Sequence, residues 1–375
     1  MSVSPLQTSM PPTPGSRFGG DSQDVPGRAD GLKDWNIVLD DNVVRNMDMG
    51  AVFDKENKAK INSLDFHRSA ELLVTASDDD SINVYDTCGG SHLKTLFSRK
   101  YGCHSVSFTH HTNAVLAASS KGDDHSVKYL SLHDNRWLRY FAGHNGKVTG
   151  LAVSPKDDLF LSTGVDREVR LWDLRINHCQ GVLRVPSQPV ATFDQQGLVF
   201  AAAADCGIIK LYDMRAYDKG PFDTFVLEEE NCGQVPFGSL MFSNDGQKIL
   251  AVVESRVYVL DAFKGHSAHR FDSGVPEGGT PLGAAFSPDA KYVVSGCHDR
   301  KIRVWSCKSG LEVAAWEGHA GVPTTLKWSL TRCLVASACS ALAFWIPDMQ
   351  RISDYGGFAG RPDGQRPGAP EYQRP

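Results

Sequence analysis

The chain carries no strong charge of either sign: 39 Lys and Arg against 44 Asp and Glu leave a formal −5. That balance gives no net drive toward nucleic acid, and no basic run marks a local patch, so direct DNA binding is not expected. Long apolar runs are also missing. The longest, LVFAAAA at residues 198–204, falls far short of the roughly 18 residues a bilayer span needs. The first 30 residues lack the charged-then-apolar plan of a secretory signal, and no Asn-x-Ser/Thr sequon occurs. A soluble intracellular protein is expected. The nine cysteines are an odd number, scattered through β-type runs, and read as reduced core residues. No Gly-x-x-x-x-Gly-Lys, no His-Glu-x-x-His and no dinucleotide fingerprint after a strand is present. Gly265-His266-Ser267 lacks the closing glycine of a nucleophile elbow. His110-His111 and Asp123-Asp124-His125 lack the paired Cys or spaced His of a metal site. The expectation is therefore no enzyme, no cofactor and no metal.

What the chain does have is a repeat. Seven times between Lys60 and Asp348 it runs through an apolar stretch, a turn, a second apolar stretch, an Asp-containing tight turn, and a β-rich strand ending in an aromatic residue or Leu. Aligned on that last strand, the terminal apolar positions are Tyr85, Leu130, Trp172, Tyr212, Leu260, Trp305 and Trp345, spaced 45, 42, 40, 48, 45 and 40 residues apart. A period of about 40–45 residues is that of a four-stranded propeller blade. Turn residues such as Ser154-Pro155, Ser243-Asn244-Asp245-Gly246 and Ser287-Pro288-Asp289 mark hairpins within blades, since Pro presets φ and Asp or Asn caps the bend.

The ends read differently. Residues 1–30 are Pro, Ser, Gly and Thr with few large apolar side chains, too few to offset ordering entropy, and are expected to be a disordered tail. Residues 351–375, rich in Gly, Pro and Arg, read the same way, which leaves residues 31–350 as one all-β domain. The last copy stops at Asp348 without an outer strand, and a strand-like segment at residues 43–53 precedes the first copy. Pairing the two would close the ring and hide a sheet edge.

The clearest copies, residues 147–175 behind Gly143-His144 and residues 282–305, resemble WD repeats, which implies a seven-bladed WD40 β-propeller. The resemblance further implies that His144, Ser162, Asp166 and Trp172 form the family's buried hydrogen-bonded tetrad, a structural device, because a buried Asp or His must be paired. Asp79, Asp124 and Asp205 lack the Gly-His partner, and the seventh copy keeps Gly318-His319 but has Ala338-Cys339-Ser340 where the Asp would stand. The tetrad is thus supported in the third copy alone. Partner binding is expected on the propeller face lined by residues before each first strand (Lys60, Asn62, Lys147, Thr149) and in the Asp turns (Asp80, Arg167, Arg300). Convergent Lys and Arg there would suit an acidic or phosphorylated peptide. A second pattern, Asp173 with Arg175 and Asp213 with Arg215, resembles the WD-x-Arg motif by which many WD-repeat proteins dock on the adaptor of cullin-4 ubiquitin ligases.

Several stretches go beyond a generic WD repeat: Ser77-DDDSINVY-Asp86, Tyr129-LSLHDNRWLRYFAG-His144, Leu211-YDMRAYDKGPFDT-Phe225, Phe242-SNDGQKI-Leu250, Leu260-DAFK-Gly265 and Ala336-SACSALAFWIP-Asp348. Together they closely resemble the WD-repeat subunit of the COMPASS histone H3 lysine methyltransferase complex, which in fungi is also a component of the cleavage and polyadenylation factor. The resemblance implies a nuclear, non-catalytic scaffold, monomeric within a hetero-complex. Its implied partners are the methyltransferase catalytic subunit, cleavage and polyadenylation factor subunits and the phosphorylated C-terminal repeats of RNA polymerase II.

Overall fold

A computed structural model describes residues 38–204, 207–227, 237–274 and 282–355. It contains seven four-stranded antiparallel sheets. The third blade shows the pattern: Val148–Val153, Leu159–Gly164, Glu168–Asp173 and Gly181–Arg184 pair in chain order. The second strand of each blade is buried almost throughout, as in Leu159–Gly164 and Tyr292–Gly296, because a sheet lies on either side of it. The outer strands alternate instead, as in Arg136–Phe141, since one face meets water.

All seven terminal apolar positions sit in third strands at one common register: Tyr85 opposite Leu73, Trp172 opposite Phe160, Trp345 opposite Val335 and so on round the ring. None is more than 5% exposed. The core is divided accordingly. Each of seven apolar clusters lies between two successive blades; one combines Ala201, Ile209 and Phe225 with Phe242, Ile249 and Leu260, and the cluster that joins last blade to first combines Ile61, Leu73 and Tyr85 with Phe53, Leu342 and Phe344. Burial between neighbours is what holds such a ring.

The predicted turns form by side-chain caps. Ser287 Oγ donates to Asp289 Oδ1 at 2.7 Å and accepts from Tyr292 N at 2.9 Å; Ser243 and Asp245 repeat this one blade earlier. The fourth turn residue is left-handed in both, Gly246 at φ 69° and Ala290 at φ 55°, so only the former is free of steric cost.

Ring closure takes the expected form, with Met47–Phe53 antiparallel to Leu342–Pro347. A bulge falls at Gly50, where a Cβ would lie 2.7 Å from Ile346. The closing strand is shorter than the 43–53 reading, because Asp41–Arg45 is a helical turn. Asp40 caps it by accepting from Val43 N at 2.8 Å, and Val43 and Val44 are buried, a local bond and a burial that favour helix over extension. Trp316 Nε1 donates to Val44 O at 3.0 Å and Tyr292 Oη to Asp41 Oδ1 at 2.6 Å, which ties the turn to blade six. A second helix, Met349–Tyr355, runs past residue 351, where the sequence reading starts the C-terminal tail. The rest of that tail and the 1–30 tail lie outside the described residues.

Candidate functional site

Strand direction alternates within a blade, so two kinds of loop collect at each end of the ring. One face carries the turns between second and third strands and the connections from blade to blade. The other carries the first-to-second and third-to-fourth turns.

Beneath the connection-bearing face, blade three buries a continuous polar chain. Trp172 Nε1 can only donate, and it donates to Ser162 Oγ at 2.8 Å. The single hydroxyl hydrogen of Ser162 therefore points to His144 Nε2, 2.7 Å away. That leaves the imidazole hydrogen on Nδ1, donated to Asp166 at 2.8 Å. Burial lowers the pKa of His144, against the opposing pull of the Asp166 hydrogen bond, consistent with this neutral form. Asp166 also accepts from Asn145 N at 2.9 Å. His144, Asp166 and Glu168 form a cluster of metal-ligand types among the described residues. Every one of those groups is engaged, Glu168 by Arg170 at 2.6 Å and Arg184 at 3.2 Å.

Blade seven contains the same construction, which the sequence reading did not support. Trp345 Nε1 donates to Ser337 Oγ at 2.7 Å, Ser337 Oγ lies 2.6 Å from His319 Nε2, and His319 Nδ1 lies 3.4 Å from Cys339 Sγ. A thiol stands where blade three has a carboxylate. Burial pushes this thiol up, but the hydrogen bond with His319, helped by backbone N–H groups, outweighs it and holds Cys339 down to about 6. Cys103 has burial without such a partner and is pushed up to about 12. The signal was in the chain: Gly318-His319 and Trp345 occupy their places, and only the requirement for Asp hid the match.

Other blades solve the same problem differently. In blade one the slot of the His holds buried Asn57, which donates to Tyr85 Oη at 3.1 Å and accepts from Asn83 Nδ2 at 2.9 Å. In blade two the Lys128 ammonium is buried. It donates to Asp124 at 2.8 Å, to Ser126 at 2.8 Å and to Ser119, and sits 3.9 Å from the Tyr101 ring centroid. Burial pulls the pKa of Lys128 down, with Asp124 opposing it; the ion pair is what makes a buried ammonium tolerable.

The face residues expected to bind partners separate into two groups. Lys60 and Lys147 approach from blades one and three toward His104 of blade two. Burial first, then these two ammonium groups, lower the pKa of His104 to about 4, while Asp78 opposes them. Asn62 donates to Asp78 beside this cluster, and Thr149 donates to the Thr163 carbonyl at 3.3 Å. Asp80, Arg167 and Arg300 share the left-handed position of their turns, φ 67°, 63° and 67°; Arg167 and Arg300 are exposed, whereas the Asp80 side chain is partly buried. Asp80 is already paired with Lys121. Arg300 belongs to blade six and reaches the Ala320 carbonyl at 3.4 Å, apart from the blade one-to-three set. The two WD-x-Arg copies also differ. In both, the Arg backbone N–H donates to the Asp at 2.8 Å; Arg175 also closes its guanidinium on Asp173 through bonds of 2.7 and 2.9 Å.

The model of the WD domain, G-beta repeat, matches residues 51–86, 135–173 and 258–306. Over 313 residues, 83% of this chain and 98% of the relative, the chain is 41% identical to WD repeat-containing protein 82 of Drosophila melanogaster. It is 39% identical over 242 residues to the Set1 complex component swd2 of Schizosaccharomyces pombe, 62% of this chain and 67% of that one. It is 32% identical over 260 residues to the COMPASS component SWD2 of Saccharomyces cerevisiae, 66% and 76% of the two chains. The chain belongs to the WD-repeat family that these proteins represent.

Proposed function

We propose that this member of the family is itself a WD-repeat subunit of a nuclear COMPASS-type histone H3 lysine methyltransferase complex, acting as a scaffold without bond chemistry of its own. One observation carries the reading: the likeness to the Set1 and COMPASS components extends across most of the ring and is not confined to the repeat signature. The chemistry of the interior supports it, because among the described residues the buried groups His144, Asp166, Lys128 and Cys339 are each engaged in a bond network within their own blade. What is left for function is the loop surface of a rigid ring, where affinity comes from shape and charge complementarity. The finer reading is that the same chain joins the cleavage and polyadenylation machinery and the transcription termination apparatus, and links them to phosphorylated RNA polymerase II. Lys60 and Lys147 around His104 are the groups proposed to meet an acidic or phosphorylated segment, with Arg167 at the margin.

Affinity purification of the tagged chain from nuclear extract, with mass spectrometry of what co-purifies, tests both levels. Recovery of the methyltransferase catalytic subunit supports the complex, and recovery of polyadenylation factor subunits supports the wider role. Enrichment of the cullin-4 adaptor alone, abolished by Arg175→Ala/Arg215→Ala, would replace the reading with a ligase substrate receptor.

A further inference from the structure

On the face opposite the connections, a groove of about 430 Å³ runs between blades four and five. Four turns meet there. Residues 194–198 and 244–246 join first to second strands in the two blades, Phe222 leads into the outer strand Asp223–Val226, and Ala262 and Phe263 follow the third strand Arg256–Asp261. A smaller hollow of about 340 Å³ adjoins it and adds Asp213 and Arg215.

Three observations make this groove a binding site in search of a partner. Phe263 is 75% exposed and Phe222 60%, both at the groove, with Leu198 between the blades beside them. Two exposed phenylalanines bordering one hollow form a patch of the kind that marks interaction surfaces. The lining is also one-sided in charge: Asp194, Asp223 and Asp245 belong to it and no Lys or Arg does. Lys248 stands 3.9 Å from Asp245 and Arg215 lines the adjoining hollow, which leaves Asp194 and Asp223 as the carboxylates without an ion pair among the described residues. Finally, the Gln195 side-chain oxygen in the wall is screened from solvent and meets no donor among the described residues.

We propose that this groove docks a short linear segment of another protein that places an aromatic or branched aliphatic side chain between Phe222 and Phe263 and a flanking lysine or arginine against the carboxylates of Asp194 and Asp223. The apolar anchor supplies contact area and the cation supplies orientation, the division of labour found in peptide-binding grooves. A hollow of this volume admits one or two large side chains, so the segment is short and its affinity modest. The groove's chemistry does not depend on which complex the chain joins, so the nuclear purification above can fail while this docking stands, and the reverse.

The test uses two matched panels of fluorescein-labelled dodecapeptides. One carries a central Phe or Leu flanked by Lys or Arg, and the other has the same anchors flanked by Glu. Binding to the full chain is read by fluorescence anisotropy. Saturable binding of the basic panel, no binding of the acidic panel, and weakening as salt rises are the expected results. Phe222→Ser/Phe263→Ser should weaken the best basic peptide at least about tenfold. Asp223→Lys should also weaken it, and both variants alter exposed side chains, so an unchanged thermal melt shows that the ring is intact. No saturation by about 1 mM peptide, equal binding of both panels, or full binding by the double variant would overturn the proposal. So would concentration-dependent self-association lost in the double variant, which would make a second copy the occupant. Tighter peptide binding after removal of residues 356–375 would make the chain's own tail the occupant.

Discussion

Replacing Asp166 by Ala should destabilise the ring far more than the same change at Asp299, although both occupy the turn six residues before a third-strand Trp. The difference follows from their surroundings. In blade three the side chains of His144 and Asp166 are 0% and 7% exposed, and the carboxylate accepts from His144 Nδ1 and Asn145 N. Its loss strands a buried imidazole donor, worth about 1–3 kcal/mol, and removes hydrogen bonds to a charged acceptor worth about 1.5–3 kcal/mol each. After partial relaxation the net cost is about 2–4 kcal/mol. In blade six Asp299 is 38% exposed and pairs with a similarly exposed Arg303, an arrangement worth about 0–1 kcal/mol. Cys339→Ala falls between, about 1–2 kcal/mol, because the sulfur, 3.4 Å from His319 where blade three has a carboxylate at 2.8 Å, is the more distant acceptor and water can partly reach that histidine. Asp166→Asn should recover part of the loss, since the amide oxygen can still accept from Nδ1. Urea unfolding of the four variants, compared at constant denaturant slope, gives the order. Asp299→Ala costing as much as Asp166→Ala, or Asp166→Ala costing less than about 1 kcal/mol, would refute the assignment of blade three's stability to this buried chain.

Three further outcomes can be checked. His104 protonates in the unfolded chain near its ordinary value of about 6.5 but in the ring only near about 4. Stability should therefore be full above about 6.5 and fall by up to about 3 kcal/mol as pH drops to about 4, and His104→Gln should flatten that part of the unfolding profile. The Cys339 thiolate should appear in ultraviolet absorbance with a midpoint near 6 and vanish in Cys339→Ala. Its depressed value adds stability that is present above the unfolded thiol range and lost as pH falls through about 6; a first thiolate appearing only above about 8 would contradict the pairing with His319. Deleting residues 38–53 should open the ring, because it strips the outer strand from blade seven and the Val44 and Asp41 anchors from blade six. Unchanged soluble yield and melting temperature for that truncation would sink the closure.

The chain's own sequence determined the number of blades, the register of the third strands and the partner of the closing strand. Each of these is written in a local period, and an apolar residue every 40-odd positions has one way to be buried in a ring. Turn chemistry was equally legible, since Ser243-Asn244-Asp245-Gly246 and Ser287-Pro288-Asp289 bend by bonds within a few residues. Tertiary structure alone decided what distant positions do to one another. The helical turn at Asp41–Arg45 has a local cap in Asp40, but its docking on blade six is set by Trp316 and Tyr292, more than 250 residues away. Cys339 completes a buried chain because the fold carries His319 to it, and a rule that looks for Asp reads the place as empty. Lys128 is tolerable in the interior only once Asp124 and Tyr101 surround it. Lys60 and Lys147 converge on His104 while Arg300 stands apart, and Phe222 and Phe263 meet across a groove, because ring geometry, which no local period encodes, sets which loops become neighbours.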